Sequence, residues 1–284
     1  MSVNTVTARP ASNSRPLYDR FRSQVDWNTG MKLSYKPWLI VFDLDGTLID
    51  SSSDLCASVN AALMAVCRAP LPHGEITGFV GDGAATLVRR ALARSSPLDQ
   101  THSQSDEVIF ASCFRLFLDL YRAHMLDTTR PYPGVQESLA EIRRCHPDLL
   151  MAVLTNKPVK PSSELCQALG LSPYFFANYG GDSFSTKKPE PEGLQHILDD
   201  ARCTLLGRGM ARDALPSHEA VMVGDSGVDI AVGHACGMST LGCSYGLARE
   251  AVFAARPHCV VDHARDWPQA LGCLPERASI LQVF

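Results

Sequence analysis

Several features common in other classes of protein are missing from this 284-residue sequence. No apolar run approaches the roughly 20 residues that a membrane-spanning helix requires. There is no basic excess. Lys and Arg total 26 against 30 Asp and Glu, a formal net charge of −4, so neither nucleic acid nor an anionic membrane is an expected partner. The ten cysteines (Cys56, Cys67, Cys113, Cys145, Cys166, Cys203, Cys236, Cys243, Cys259 and Cys273) include no CxxC pair. The ligand spacing of a zinc site is therefore missing. Most of them sit in apolar or helical patterns, as reduced, buried thiols of a cytosolic protein do. The nine histidines form no cluster, and the chain has no internal repeat.

Residues 1–36 have little apolar periodicity and are rich in Ser, Asn, Thr, Arg and Pro. They read as a disordered leader. The segment lacks the apolar centre of a secretory signal. Arg9, Arg15, Arg20 and Arg22 suggest a transit peptide, while Asp19 and Asp26 oppose one. Met31 is an alternative start, which peptides covering residues 1–30 in the native protein would exclude.

What the chain does have is Leu39-Ile40-Val41-Phe42-Asp43-Leu44-Asp45-Gly46-Thr47. Four apolar residues predict a buried parallel strand, followed by two carboxylates one residue apart. If the strand continued, Asp43 and Asp45 would face the same way. Like charges brought together need a cation or a proton, and Mg2+ is a hard cation suited to oxygen ligands.

Beyond this strand, residues 51–130 read as all-helical. Helix-capping chemistry is predicted at Asp50 to Asp54, a tight turn at Gly81-Asp82-Gly83, and a helix over Val108–Met125. Alternating elements then return. Strands are predicted at Leu149–Leu154, Phe175–Tyr179, Ala220–Val223, Ser239–Cys243 and Cys259–Val261. Helices are predicted at Gln136–Cys145, 161–170, Gly193–Ala201 and Asp229–Cys236. Residues Leu205–His218 read as an extended connection. The fold class is α/β, a doubly wound parallel sheet with a helical insertion.

Polar clusters follow three apolar strands: Asp43/Asp45, Thr155/Asn156, and Asp225 with Asp229. Lys188 lies in a loop, with Lys187 as its neighbour and rival. Ligands of open α/β sheets bind beyond the carboxyl ends of the strands. A hydroxyl, an amide and an ammonium suit phosphate oxygens. Asp43 can act as nucleophile, Asp45 as general acid and base, and Asp225 as metal ligand in phosphoryl transfer.

The stretches Asp43-Leu44-Asp45-Gly46-Thr47-Leu48, Thr155-Asn156, Lys188-Pro189 and Gly224-Asp225-Ser226 through Asp229 resemble the four ordered motifs of the haloacid dehalogenase superfamily. The similarity covers residues 38 to about 262. It implies a Rossmannoid core (37–50 and 131–284), with residues 51–130 as a helical C1 cap. It implies Asp43 as phosphorylated nucleophile and Asp45 as acid/base, with Asp45's backbone carbonyl on Mg2+. The phosphate-binding residues would be Gly46, Thr155, Asn156 and Lys188. Asp43, Asp45 and Asp225 would hold the metal, with Asp229 beside it.

Within the superfamily, Val59-Asn60-Ala61-Ala62-Leu63, Val80-Gly81-Asp82-Gly83-Ala84, Arg89-Arg90-Ala91-Leu92 and Tyr132-Pro133-Gly134-Val135 are most similar to the phosphoglycolate phosphatases. Arg89 or Arg90 could meet a substrate carboxylate. The expected partner is a small phosphorylated metabolite, and the expected state is a cytoplasmic monomer or homodimer. The alternatives are a phosphomutase of the β-phosphoglucomutase type, a phosphatase for another small phosphate ester, and a non-enzymatic binding protein on the same scaffold. Dehalogenation is disfavoured, because a halide leaving group has no use for the acid that Asp45 supplies.

Overall fold

The structure, a computed structural model, describes residues 35–98, 105–211 and 215–272. The expected leader falls outside them, apart from its last two residues. The first strand is β1 (Leu39–Phe42), and all four of its residues are buried. It sits in the middle of a six-stranded parallel sheet with β4 (Leu150–Leu154) on one side and β6 (Ala220–Gly224) on the other. Beyond β4 lies β5 (Ala177–Tyr179). Beyond β6 lie β7 (Ser239–Cys243) and β8 (Cys259–Val261). Strand order therefore reverses at β1, which opens a crevice there at the carboxyl edge.

Side chains of β1 alternate between two cores, as a strand with both faces covered requires. Leu39 and Val41 pack with Leu194, Ile197 and Leu198 of α7 (Glu192–Gly207). Ile40 and Phe42 face Val135, Leu139 and Ile142 of α5 (Val135–Cys145), and Trp267. Phe42 and Trp267 hold their ring centroids 5.0 Å apart. The remaining core helices are α6 (Val159–Ala168), α8 (Gly227–Ala235), α9 (Arg249–Ala254) and α10 (Trp267–Ala270). Helix α7 runs through Gly207, so the first part of the expected extended connection is helical, and a short 3-10 turn at Ser217–Glu219 closes it.

The chain between β1 and α5 leaves and re-enters the core through a ribbon. In it β2 (Ile49–Asp50) pairs antiparallel with β3 (Arg130–Pro131), with Ile49 opposite Pro131 and Asp50 opposite Arg130. Between them stand α1 (Ser52–Ala65), α2 (His73–Thr77), α3 (Ala84–Arg94) and α4 (Asp106–His124). Their interior (Leu55, Val59, Leu63, Ile76, Leu87, Val88, Phe117) is continuous with the Phe42 core. The capping role expected around residues 50–54 falls to Asp50, whose carboxylate accepts from the Ser52 amide at 3.0 Å. Asp54 does something else. Its buried carboxylate accepts from the amides and hydroxyls of Thr128 and Thr129, tying α1 to the strand that leaves the insertion. Burial alone would raise this carboxyl; the four donors more than offset it and hold it below its ordinary value of 3.8.

Among the described residues, no helix is long and apolar enough to cross a membrane.

Candidate active site

Three adjacent strands deliver the site. Asp43 follows β1, Thr155 follows β4, and Asp225 follows β6. Strand β1 ends at Phe42, so Asp43 and Asp45 leave the strict alternation; both line the same two cavities but take different partners. Asp43 Oδ1 receives Lys188 Nζ at 2.7 Å, and the same ammonium lies 2.6 Å from Asp229 Oδ1. Asp45 instead receives Ser51 Oγ at 2.5 Å and Lys157 Nζ at 2.8 Å.

Asp43, Asp225 and Asp229 can each place one carboxylate oxygen within 4.8 Å of the other two, and all three are buried. Each is positioned by local chemistry. Asp229 stands in the first turn of α8, where its Oδ2 accepts from the Ser226 amide at 3.1 Å and from the Ser226 hydroxyl at 2.6 Å, a reciprocal capping box. Asp225 accepts from the Leu247 amide at 2.6 Å and from the Ala248 amide at 3.3 Å. Two glycines make room for it. A Cβ on Gly46, where φ is +91°, would lie 2.2 Å from Asp225 Oδ2, and one on Gly246 would lie 2.3 Å from Asp225 Cβ. Gly46 also donates its amide to the Ile49 carbonyl at 2.9 Å. It thus stands against Asp225, outside the lining of the neighbouring cavities.

The electrostatics follow from this crowding. Burial pushes the Asp43 carboxyl up to about 7, with repulsion from Asp229 and Asp45 adding to it and Lys188 opposing it. Burial and the Asp43 and Asp229 charges raise Asp225 well above the usual carboxylate range. Three buried carboxylates share one ammonium, so the cluster is short of positive charge. A small cavity beside it, bounded by Asp43, Asp225, Asp229 and Lys188, has room for about one water-sized particle. A hard-oxygen donor set of this size and charge fits a divalent cation such as Mg2+.

A larger cavity of about 250 Å³ adjoins the site. Its floor is Asp43, Asp45, Thr155, Asn156 and Lys157, and its roof comes from the insertion: Leu55, Val80, Leu87, Phe117, Leu118 and Tyr121. Thr155 Oγ1 accepts from the Lys157 amide at 3.2 Å, which leaves its own hydrogen free to donate. Asn156 commits both amide hydrogens, to the Gly81 and Lys188 carbonyls, each at 2.9 Å. Lys188, not Lys187, reaches Asp43; Lys187 Nζ binds the Asp82 carbonyl at 2.9 Å.

Arg89 is not brought to the site. It is exposed, 3.2 Å from Glu107, with its guanidinium 3.6 Å from the centre of the Phe110 ring. Arg90 is exposed and pairs with Asp82 at 2.5 Å. The residue that sequence reasoning passed over is Lys157. It is buried against Asp45, and its ammonium lies 4.6 Å from the centre of the Tyr121 ring. The available signal was a lysine directly after Thr155-Asn156, where the chain had just left a buried strand.

Residues 40–243 match the model of the haloacid dehalogenase-like hydrolases. A phosphoglycolate phosphatase of Chromobacterium violaceum is 35% identical over 216 residues, which is 76% of this chain and 89% of that protein. A phosphoglycolate phosphatase of Neisseria meningitidis is 34% identical, over 86% of this chain and 93% of its own. A crystal structure of a predicted phosphoglycolate phosphatase from Haemophilus somnus superposes with a TM-score of 0.71 at 29% identity, covering 82% of this chain and 97% of the other. With the carboxylate cluster at the carboxyl edge of β1 and β6 already in place, these likenesses settle the family: the chain belongs to the haloacid dehalogenase-like hydrolases.

Proposed function

We propose that the protein is a Mg2+-dependent phosphatase that hydrolyses 2-phosphoglycolate to glycolate and phosphate. The observation that carries this is the placement of Asp43. It is the one carboxylate that belongs to the acidic cluster and also lines the large cavity. Its Oδ1 is held by Lys188, and its second oxygen is left to attack. The relatives' names supply the substrate.

Asp43 attacks phosphorus, the ester P–O bond breaks, and Asp45 gives its proton to the departing oxygen. Asp45 then takes a proton from the water that cleaves the aspartyl phosphate, and Asp43 is restored. Lys188 and Thr155 bind the transferring phosphoryl oxygens. Asp43, Asp225 and Asp229 would hold Mg2+, which when bound neutralises phosphoryl charge. The insertion acts as a cap over residues 37–50 and 131–272, its apolar roof excluding bulk water from the reacting groups.

A screen of small phosphate esters with Mg2+ tests the reading. Phosphoglycolate should give the highest kcat/KM, and EDTA should abolish turnover until Mg2+ is returned. Turnover that ignores chelation, or a preference for another ester, would overturn it.

A further inference from the structure

The expected carboxylate receptor, Arg89, lies outside the cavity, so some other group must meet the acid end of a phosphoglycolate-like substrate. This inference rests on the phosphatase reading. The cavity offers three cations along its wall or floor, Arg122, Lys157 and Lys160. Lys188 lines the smaller neighbouring cavity, between Asp43 and Asp229, where it serves the phosphoryl group. Arg122 lies 3.6 Å from Glu164 with its side chain 58% exposed, and Lys160 is exposed. Lys157 is different: its side chain is 6% exposed and it lines the cavity beside the proton donor.

Distances narrow the choice further. To protonate the ester oxygen, Asp45 must come within roughly 2.6–3.2 Å of it. Lys157 Nζ is 2.8 Å from Asp45 Oδ2. With Asp45 Oδ2 as the donating oxygen, the ammonium stands within about 6 Å of the ester oxygen. When only one carbon separates the ester oxygen from a carboxyl group, the carboxylate oxygens lie about 3 Å from that ester oxygen. One hydrogen bond of about 2.8 Å spans the rest. An ammonium has three donors. Asp45 takes one and Tyr121 packs alongside, leaving a donor for a third partner.

We propose that Lys157 is the specificity-determining residue, binding through its ammonium the carboxylate of a phosphorylated 2-hydroxy acid. The ring that covers it, Tyr121, belongs to α4 of the insertion. The receptor is thus assembled from a core cation and an insertion aromatic. A longer acid would carry its carboxylate past the ammonium.

The test compares kcat/KM for 2-phosphoglycolate with that for ethyl phosphate, which has the same carbon count and no carboxylate. The ratio cancels any loss that comes only through Asp45. Lys157→Met should lower the ratio roughly 10- to 100-fold, mainly through KM for phosphoglycolate. Lys157→Arg should retain more of the ratio than Lys157→Met. Arg122→Gln should leave the ratio within about twofold, as expected of a largely exposed pair. Equal losses on both esters in Lys157→Met and Lys157→Arg would overturn the assignment, as would a ratio lost in Arg122→Gln instead. If the wild-type enzyme shows no preference for phosphoglycolate, the substrate reading itself has failed, and that is seen before any variant is made.

Discussion

At and beside the floor of the cavity, charged groups meet at hydrogen-bond distance: Lys157 against Asp45 in the floor itself, and Lys188 between Asp43 and Asp229 in the small cavity that adjoins it. At the roof, Leu55, Leu87, Phe117 and Leu118 offer only apolar surface, and Tyr121 turns its ring to Lys157. The floor comes from strand ends fixed by a six-stranded ladder. The roof comes from helices held by side-chain packing. Electrostatic positioning is sensitive to fractions of an ångström, whereas an apolar wall tolerates changes of shape at modest cost. Floor and roof should therefore respond to mutation in different currencies, one in rate and the other in stability.

The largest effect should come from the floor. Asp43→Asn should lower kcat by roughly 10⁴-fold or more while circular dichroism and the thermal midpoint stay near wild type. Residual turnover within tenfold of wild type would remove Asp43 as nucleophile. In the roof, Leu87→Ala should cost about 2–5 kcal/mol of stability in urea unfolding, with kcat of the folded fraction within about tenfold. A rate collapse without loss of stability would break the division between the two surfaces.

Asp54 tests the tether of the roof. Asp54→Asn should cost about 1.5–3 kcal/mol, since the charge-assisted bonds to Thr128 and Thr129 are weakened. The sign with pH follows. A carboxyl held below 3.8 in the fold stabilises it above that value, and the contribution is lost as pH falls through the lower folded value. Wild type should therefore lose more stability than Asp54→Asn between pH 5 and pH 2, and parallel losses would remove Asp54 as the acid-sensitive tether. The smallest effect belongs to Arg89→Ala. An exposed pair with Glu107 is worth about 0–1 kcal/mol, and KM for phosphoglycolate should move less than about twofold. A tenfold rise would return Arg89 to the site.

Much of this arrangement was legible in the sequence because its determinants are local. Four apolar residues before Asp43 make β1, Ser239–Cys243 and Cys259–Val261 are strands as expected, and the Lys-Pro pairing favoured Lys188 over Lys187. What escaped depends on distant partners. The strand ends at Phe42 because the Leu44–Ile49 turn bonds to itself: the Leu48 and Ile49 amides donate to the Leu44 carbonyl. No periodicity shows that turn, so the different partners of Asp43 and Asp45 were hidden. Arg89 sits among Leu87, Val88 and Ala91 on α3, and which side of that helix meets the cavity is set by packing against α1 and α4. Lys157 reads as an ordinary turn lysine until Asp45 and Tyr121 close around it. The β2–β3 ribbon joins residues about eighty positions apart through strands of two residues each, too short to leave a pattern.

That ribbon also bears on how such an enzyme changes over evolutionary time. Asp50 and Arg130 are direct ladder partners, so the chain departs and returns at one point. Antiparallel partners hold their Cα atoms about 5 Å apart, a gap that a short hairpin turn can also close. The four helices are therefore a cassette in chain connectivity, inserted at one point, while their interior packs on the Phe42 core. Their connecting loops can be lengthened or recut while the strands that carry the chemistry keep their register. Selection for a new leaving group can act on the cassette and on the few side chains that touch it, without rebuilding the machinery beneath.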